Sequence, residues 1–320
     1  MTAADPAPTK AICAIVCTHN RYDVLPDALA SLMEQTLPRS QHEVIVVDNS
    51  TDLAARRSFW RRYRTRFDIT LELAPTPGLS AARNRGVNMT EAAVVAFCDD
   101  DAIVSSGWLE ALVDVFRAEP TAGVAGGPVV PIWPGSPPPW LHPWLRGFFT
   151  IVDHGDRRRM LTENEWLAGT NVAFRRDALL KAGGFDENLG RRSTLLLSNE
   201  DLAVAGRLAE LGYSSFYEPS ASVHHKIHAE RVNRAWLRRR VAWQVISDAL
   251  VDSAKGVPAP EQCWSKIAEY MLRMPPEMRT FRGLFLDIDD PAALQRQCDA
   301  ITALMTLLMS DGHDPEVRTK

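Results

Sequence analysis

Short apolar runs recur at regular intervals through the first third of the chain: AICAIVC (11–17), HEVIVVD (42–48), FDITLEL (67–73) and AAVVAFC (92–98). Near-continuous apolar runs of this length read as strands buried on both faces. The segments between them carry helical signals. VLPDALASLMEQ places Leu25, Leu29 and Leu32 near helical spacing, a basic segment follows the second run, and GLSAARNRG is rich in helix formers. The order β-α-β-α-β-α-β predicts an α/β fold with a parallel sheet covered by helices on both faces. Such sheets bind ligands at the carboxyl ends of their strands. Three of those ends are polar here: Thr18-His19-Asn20-Arg21, Asp48-Asn49 and Asp99-Asp100-Asp101.

Several classes are disfavoured by what the chain contains. It has neither G-x-x-x-x-G-K-[ST] nor a G-x-G-x-x-G after the first strand, which argues against a P-loop NTPase or a dinucleotide enzyme. The 320 residues carry 36 Lys+Arg against 40 Asp+Glu, a net charge of -4, so nucleic acid is not an expected partner. The basic clusters at Arg56–Phe67, Arg157–Arg159 and Leu237–Arg240 read first as solvated faces, and second as contacts for phosphate or an anionic membrane. The five cysteines lack metal-type spacing and read as structural. The opening residues 1–10 read as a flexible tail rather than a signal peptide, and no stretch is long and apolar enough to span a bilayer. Cytoplasm is the expected location, with peripheral contact at the inner face of the membrane as a candidate.

Beyond the aspartates, SSGWLEALVDVFRAEP reads as a helix and AGVAGGPVV as a strand. PIWPGSPPPWLHPWLRGFF (131–149) is too proline-rich for regular structure. Its Trp133, Trp140 and Trp144 either stack on a ligand or pin the loop to the core. TNVAF, RDALLKAG and LSNEDLAVAGRLAELG then read as strand, helix and helix, and SVHHKIH follows a late strand. Residues from about 232 onward look mainly helical, with breaks near Gly256–Pro260, Pro275–Pro276 and Asp289–Pro291.

Three adjacent carboxylates repel one another unless a cation sits among them. Alternation along an extended strand end sends Asp99 and Asp101 to one side and Asp100 to the other. Carboxylates there suit Mg²⁺ or Mn²⁺. A solvated acidic turn is the plain alternative, and the two other polar strand ends tip the reading towards a metal.

Taken together, IVCTHNRYDVL, VIVVDNS, GLSAARNRG, VVAFCDDD, GTNVAFRRDALLKAGGFDENLG and NEDL resemble a family-2 glycosyltransferase with the GT-A fold. The resemblance runs from about Ala11 to His228. It implies a catalytic domain over 11–228, Rossmann-like and mostly parallel, with a C-terminal helical appendage over 229–320. It implies a donor site built from Thr18, His19, Asn20, Arg21, Asp48, Arg83, Asn84, Asp99 and Asp100, with Gly169 and Asn171 lining the sugar pocket. It implies a divalent cation, Mn²⁺ or Mg²⁺, held by Asp101, Asp99 and His225, and places Asp201 as general base beside Glu200. Acidic residues also favour helix starts, so capping is the plain role for that pair. The implied reaction is an inverting transfer from a UDP-, dTDP- or GDP-linked sugar to a hydroxyl on a glycan, lipid carrier or small molecule. A homodimer is a candidate assembly. The rival functions are a nucleotidyltransferase that makes the nucleotide-sugar and a binding module without catalysis. CTHNRYDV lacks the glycine-rich basic loop expected of the first, and the intact Asp201 argues against the second.

Overall fold

The computed structural model describes residues 10–191, 195–251 and 260–310. The expected tail, apart from Lys10, and the expected break at Gly256 lie outside them. The described residues form two compact units. The first takes in residues up to Ile132, Thr150 to 191 and Glu200–Lys226; the second takes in Trp133–Phe149, the described part of 194–199 and Ile227 onward.

The first unit is a mixed α/β layer structure. In chain order it contains β1 (Ile12–Thr18), α1 (Leu25–Met33), β2 (His42–Asp48), α2 (Leu53–Tyr63), β3 (Thr70–Leu73), α3 (Leu79–Asn88), β4 (Val94–Asp99), β5 (Ala102–Val104) and α4 (Trp108–Ala118). There follow β6 (Ala122–Gly126), β7 (Val129–Ile132), β8 (Arg159–Met160), β9 (Val172–Arg175), α5 (Arg176–Lys181), α6 (Glu200–Glu210), β10 (Ser214–Tyr217) and β11 (Val223–Lys226). Among the described residues the main sheet runs β3-β2-β1-β4-β9-β6-β10-β8, and a smaller sheet runs β5-β11-β7. The pairs β3–β2, β2–β1, β1–β4 and β6–β10 are parallel, whereas β9 is antiparallel to both its neighbours.

The strand pattern explains the layering. Side chains alternate along a strand, so β1 sends Ile12, Ala14 and Val16 to one face and Cys13 and Ile15 to the other. The first face is covered by α1, α2 and α4 through Leu29, Trp60 and Leu112. The second is covered by α3, α5 and α6 through Ala82, Leu179 and Leu208. Fully burying one such aliphatic side chain is worth roughly 1.5–3 kcal/mol, so a sheet covered twice is a strong anchor. Gly78, at φ +137, turns the chain into α3, a conformation open to glycine. Arg57, Arg61, Arg62, Arg64 and Arg66 around α2 are exposed, Arg56 is half-buried and donates to the Ser50 carbonyl at 3.3 Å, and Phe59 and Trp60 are buried.

One expected strand divides in two, and one segment not expected as a strand forms one. AGVAGGPVV becomes β6 in the main sheet and β7 in the small one. A Cβ at Gly127, between them, would collide with the carbonyl oxygens of Ala221 and Glu218. The late strand is β10, and the histidine-rich segment after it is itself a strand, β11.

The second unit contains α7 (Arg234–Val251), α8 (Pro260–Arg273) and α9 (Pro291–Ser310), with short 3₁₀ turns at Pro143–Phe149, Pro276–Met278 and Arg282–Phe285. Its core includes Leu237, Val241, Tyr270, Met274, Leu294 and Cys298. Phe149 gathers Trp133, Trp140 and Trp236 at ring distances of 5.6, 6.1 and 5.3 Å, and the Arg234 guanidinium lies over Trp140. The tryptophan loop is therefore pinned within this unit. Arg238 and Arg240 are buried rather than solvated: Arg238 donates to the Phe285 and Leu286 carbonyls, and Arg240 donates to Gln244. No described helix is long and apolar enough to cross a membrane.

Candidate active site

The register of the main sheet sets three polar strand ends level. Thr18 pairs with Asp48 across β1 and β2, and Cys17 pairs with Asp99 across β1 and β4. The chain then turns at Asp100 and Asp101 and enters β5. Asp100 and Asp101 are buried, whereas Asp99 keeps about a third of its side chain exposed. Buried carboxylates need compensating charge or donors. Arg21 supplies charge to both, with Nη1 3.1 Å from Asp100 and Nη2 2.7 Å from Asp101. The Thr18 hydroxyl donates to Asp100 at 2.8 Å. Burial nevertheless pushes the Asp100 carboxyl up to about 7, against the pull of Arg21.

The small sheet adds an imidazole to the carboxylates. Pairing of β5 with β11 sets Ala102 opposite His225, and the Lys226 N–H donates to the Asp101 carbonyl at 3.0 Å. His225 is buried, with Nε2 3.3 Å from an Asp101 oxygen. Its Nδ1 is also buried and has no hydrogen-bond partner among the described residues. One atom each from Asp99, Asp101 and His225 lie within 4.8 Å of one another. Two carboxylates and an imidazole, one of its nitrogens unsatisfied, fit a divalent cation of the Mn²⁺ or Mg²⁺ type. Asp99 and Asp101 converge through the turn after β4, not through strand alternation, since Asp100 and Asp101 both face Arg21.

A second cluster joins Asp99 to the start of α6. Arg83, on α3, is buried between the Phe97 and Phe185 rings, each 5.4 Å from its guanidinium carbon. It donates to buried Glu200 at 2.8 Å and to the Gly169 carbonyl at 3.0 Å, and lies 3.7 Å from Asp99. Asp201 follows Glu200. Its Oδ1 accepts the Leu202 N–H at 2.9 Å, and a Cβ built on Gly169 would come within 2.8 Å of its Oδ2. Glycine at 169 thus permits the approach of the loop to this carboxylate. Burial first, and then Glu200, push the Asp201 carboxyl up to about 7, with Arg83 pulling the other way. A carboxylate with that affinity for protons is matched to proton transfer near neutrality. A cavity of about 50 Å³ borders Asp201, with walls from Leu161, Trp166 and Leu167.

The remaining expected site residues fall into two groups. His19 and Asn20 sit at the open strand end. His19 Nδ1 donates to the Asn49 carbonyl at 2.9 Å, and Asn20, at φ +58, accepts the Thr51 and Asp52 N–H groups. Asp48, Asn84 and Asn171 are tied into the protein. Asp48 is fully buried and accepts from Ser50 N–H, Tyr22 and Trp60. Asn84 donates to the Phe185 carbonyl and accepts its N–H. Asn171 donates to the Pro128 and Ala221 carbonyls and accepts from Trp108 Nε1 at 2.8 Å. The sequence reading missed Tyr22 and Trp60, which hold Asp48, and Trp166 near Asp201. Isolated aromatics carry no spacing signal, so only the fold reveals them.

Asn171→Ala would strand a buried indole N–H and two carbonyls. It should destabilise the protein by about 3 kcal/mol, read from the denaturation midpoint. An unchanged midpoint with lost donor binding would instead make Asn171 a direct sugar contact.

Comparisons with known proteins agree with this architecture. A family model described as Glycosyl transferase family 2 matches residues 13–183, more than half of the chain. A glucosyl-dolichyl phosphate glucuronosyltransferase of Haloferax volcanii is 29% identical over 248 residues, covering 74% of this chain and 76% of that protein. The succinoglycan biosynthesis protein ExoM of Rhizobium meliloti is 29% identical over 269 residues, covering 78% of this chain and 77% of that protein. Among solved structures, the mannosyltransferase PcManGT from Pyrobaculum calidifontis, in complex with GDP-Man and Mn²⁺, superposes with a TM-score of 0.56 at 21% identity, covering 98% of this chain and 78% of its own. The fold is therefore GT-A, and with level polar strand ends at its rim the chain belongs to glycosyl transferase family 2 and is a glycosyltransferase.

Proposed function

We propose that the enzyme moves a sugar from a nucleotide-sugar to an acceptor hydroxyl in one inverting displacement. Asp201 takes the acceptor proton. The observation that carries this reading is Asp201 itself: a desolvated carboxylate with its proton affinity raised to about 7, next to a small cavity and linked through Arg83 to Asp99. Neighbours of the same fold in complex with GDP-Man or with UDP-GlcNAc support a nucleotide-sugar donor. The donor cradle is the rim formed by Thr18, His19, Asn20, Arg21, Asp48, Arg83, Asp99 and Asp100. Asn84, Gly169 and Asn171 shape it by holding the loops around α3 and before β9. In this reading residues 11–228 carry the chemistry and 229–320 form an appendage.

A divalent cation held by Asp99, Asp101 and His225 would neutralise charge on the departing nucleoside diphosphate. The Mn²⁺ in the mannosyltransferase complex supports that assignment. The chain's own residues orient the partners. Arg21 and Thr18 fix the buried Asp100–Asp101 turn, and Gly169 admits Asp201 to the acceptor side.

Titration calorimetry with UDP and GDP in Mn²⁺ tests the donor site. EDTA, or Asp101→Asn, should weaken nucleotide binding at least about tenfold, equivalent to ~1.4 kcal/mol. Equal affinity with and without metal would remove the cation from the site. A thermal-shift screen of nucleotide-sugars then identifies the donor, since a ligand at about 100 times its Kd adds ~2.7 kcal/mol of apparent stability.

A further inference from the structure

One arginine sorts the buried aspartates. Asp100 and Asp101 each put one oxygen on the same guanidinium: Arg21 Nη1 lies 3.1 Å from Asp100 Oδ1, and Nη2 lies 2.7 Å from Asp101 Oδ2. The second oxygen of each carboxylate goes elsewhere. Asp100 Oδ2 accepts the Thr18 hydroxyl at 2.8 Å. Asp101 Oδ1 lies 3.3 Å from His225 Nε2, and these two residues with Asp99 make up the candidate cation site. Asp100 is thus taken up by the protein's own groups, while Asp101 is divided between an arginine and that site.

Arg21 is anchored through its backbone. It follows Asn20, whose φ of +58 is a left-handed conformation that asparagine tolerates, and whose side-chain oxygen accepts the Thr51 and Asp52 N–H groups. The Arg21 carbonyl accepts the Val24 and Leu25 N–H groups at the start of α1, at 3.4 and 3.3 Å. Its planar fork spans two carboxylates at once, which an ammonium on a flexible stem does not reproduce. Two other basic groups near the turn have further commitments. Arg83, 3.7 Å from Asp99, donates to Glu200, and Lys226 pairs with Asp27.

A fixed positive charge at this point has two consequences of opposite sign. It offsets the cost of burying two adjacent carboxylates, which stabilises the turn without any metal. It also repels a divalent cation placed against Asp101. A double charge feels that repulsion twice as strongly as the single charge of a proton competing for the same oxygens, so the net effect is weaker metal binding.

We propose that Arg21 is the resident counter-ion of the Asp100–Asp101 turn and a positioning residue for the metal. It holds the turn folded by itself and keeps divalent-cation affinity low, so that the ion binds tightly only when a diphosphate adds its own negative charge. This role presupposes the cation site proposed at Asp99, Asp101 and His225.

Calorimetry with MnCl₂ on the full chain, without nucleotide, tests it. Arg21→Gln should bind Mn²⁺ at least about tenfold more tightly than wild type, and Arg21→Lys, which keeps the charge, should stay within about threefold. In EDTA the Gln variant should melt below wild type. Saturating Mn²⁺ should narrow that gap, because tighter binding adds more apparent stability. An arginine that only packs would leave the gap constant and the affinity unchanged or weaker. Should Arg21→Gln alone fail to fold, the same substitution on an Asp100→Asn background strands fewer buried charges, and it should show the same gain over Asp100→Asn. Asp101→Asn should abolish the gain; a gain that survives it places the ion elsewhere and overturns the proposal. Mn²⁺ binding by wild type with equal or weaker binding by Arg21→Gln overturns this role alone. Absence of Mn²⁺ binding in wild type and variants alike overturns the cation site with it.

Discussion

Asp201→Asn should lower kcat by about 10³-fold while the dissociation constant for the nucleotide-sugar changes little. The substitution keeps shape and removes the proposed proton acceptor. An acceptor hydroxyl is a weak nucleophile, and a placed base contributes about 10²–10⁴ in rate. Donor affinity should survive because Asp201 stands across Arg83 from Asp99 rather than among the buried aspartates. The pH profile gives a second reading of the same residue. Burial and Glu200 raise the Asp201 carboxyl to about 7, so below that pH it holds a proton and cannot accept another. The base form gains as pH rises, and kcat/KM should climb roughly tenfold between about pH 6 and about pH 8, levelling above that and approaching a slope of one only below about pH 6. The Asn variant should lose that limb. Turnover near wild type, or a profile with no limb near neutrality, would remove Asp201 as the base.

The main-sheet half of the fold was legible because two-sided burial forces long apolar runs, which few other structures require. The alternation of elements through AICAIVC, HEVIVVD and AAVVAFC followed from that, and so did the polar strand ends at Thr18, Asp48 and Asp99, whereas the order of the strands across the sheet comes from the structure. The division of AGVAGGPVV into β6 and β7 was hidden because Gly126 and Gly127 carry no periodic signal; the crowding against Ala221 is tertiary. Asn171 and Asn84 read as ligand contacts because an amide looks alike whether it meets a sugar or a carbonyl. Only packing shows that Pro128 and Ala221 take both amide hydrogens of Asn171 and that Trp108 donates to its oxygen. Arg238 and Arg240 misread as solvated for the converse reason. A basic run does not announce the carbonyls at Phe285 and Leu286 that Arg238 satisfies inside the second unit.

Arg83 carries the second large effect, and its role differs from simple donor binding. Its guanidinium is buried between two phenylalanine rings with Glu200 at 2.8 Å and Asp99 at 3.7 Å. Removing one partner of a buried pair leaves the other charge uncompensated and costs about 3–5 kcal/mol. Arg83→Leu should therefore lower stability by that order, and Arg83→Leu with Glu200→Leu should regain part of it, because the most buried partner is then no longer stranded while Asp99 keeps solvent contact. Activity should not return with stability. Arg83 lowers the proton affinity of Asp201 and ties the start of α6 to the Gly169 loop, so its loss both misplaces and reprotonates the base. A further hundredfold fall in kcat, roughly, is the expected cost of that displacement. Arg83→Lys separates the two effects. It keeps the charge but not the fork that spans Glu200 and Gly169. Its stability and the acid limb of kcat/KM should lie near wild type, because the charge beside Asp201 is kept, while its kcat falls. If Arg83→Lys matched wild type in rate as well, the charge alone would suffice and the fork to Glu200 and Gly169 would not position the start of α6.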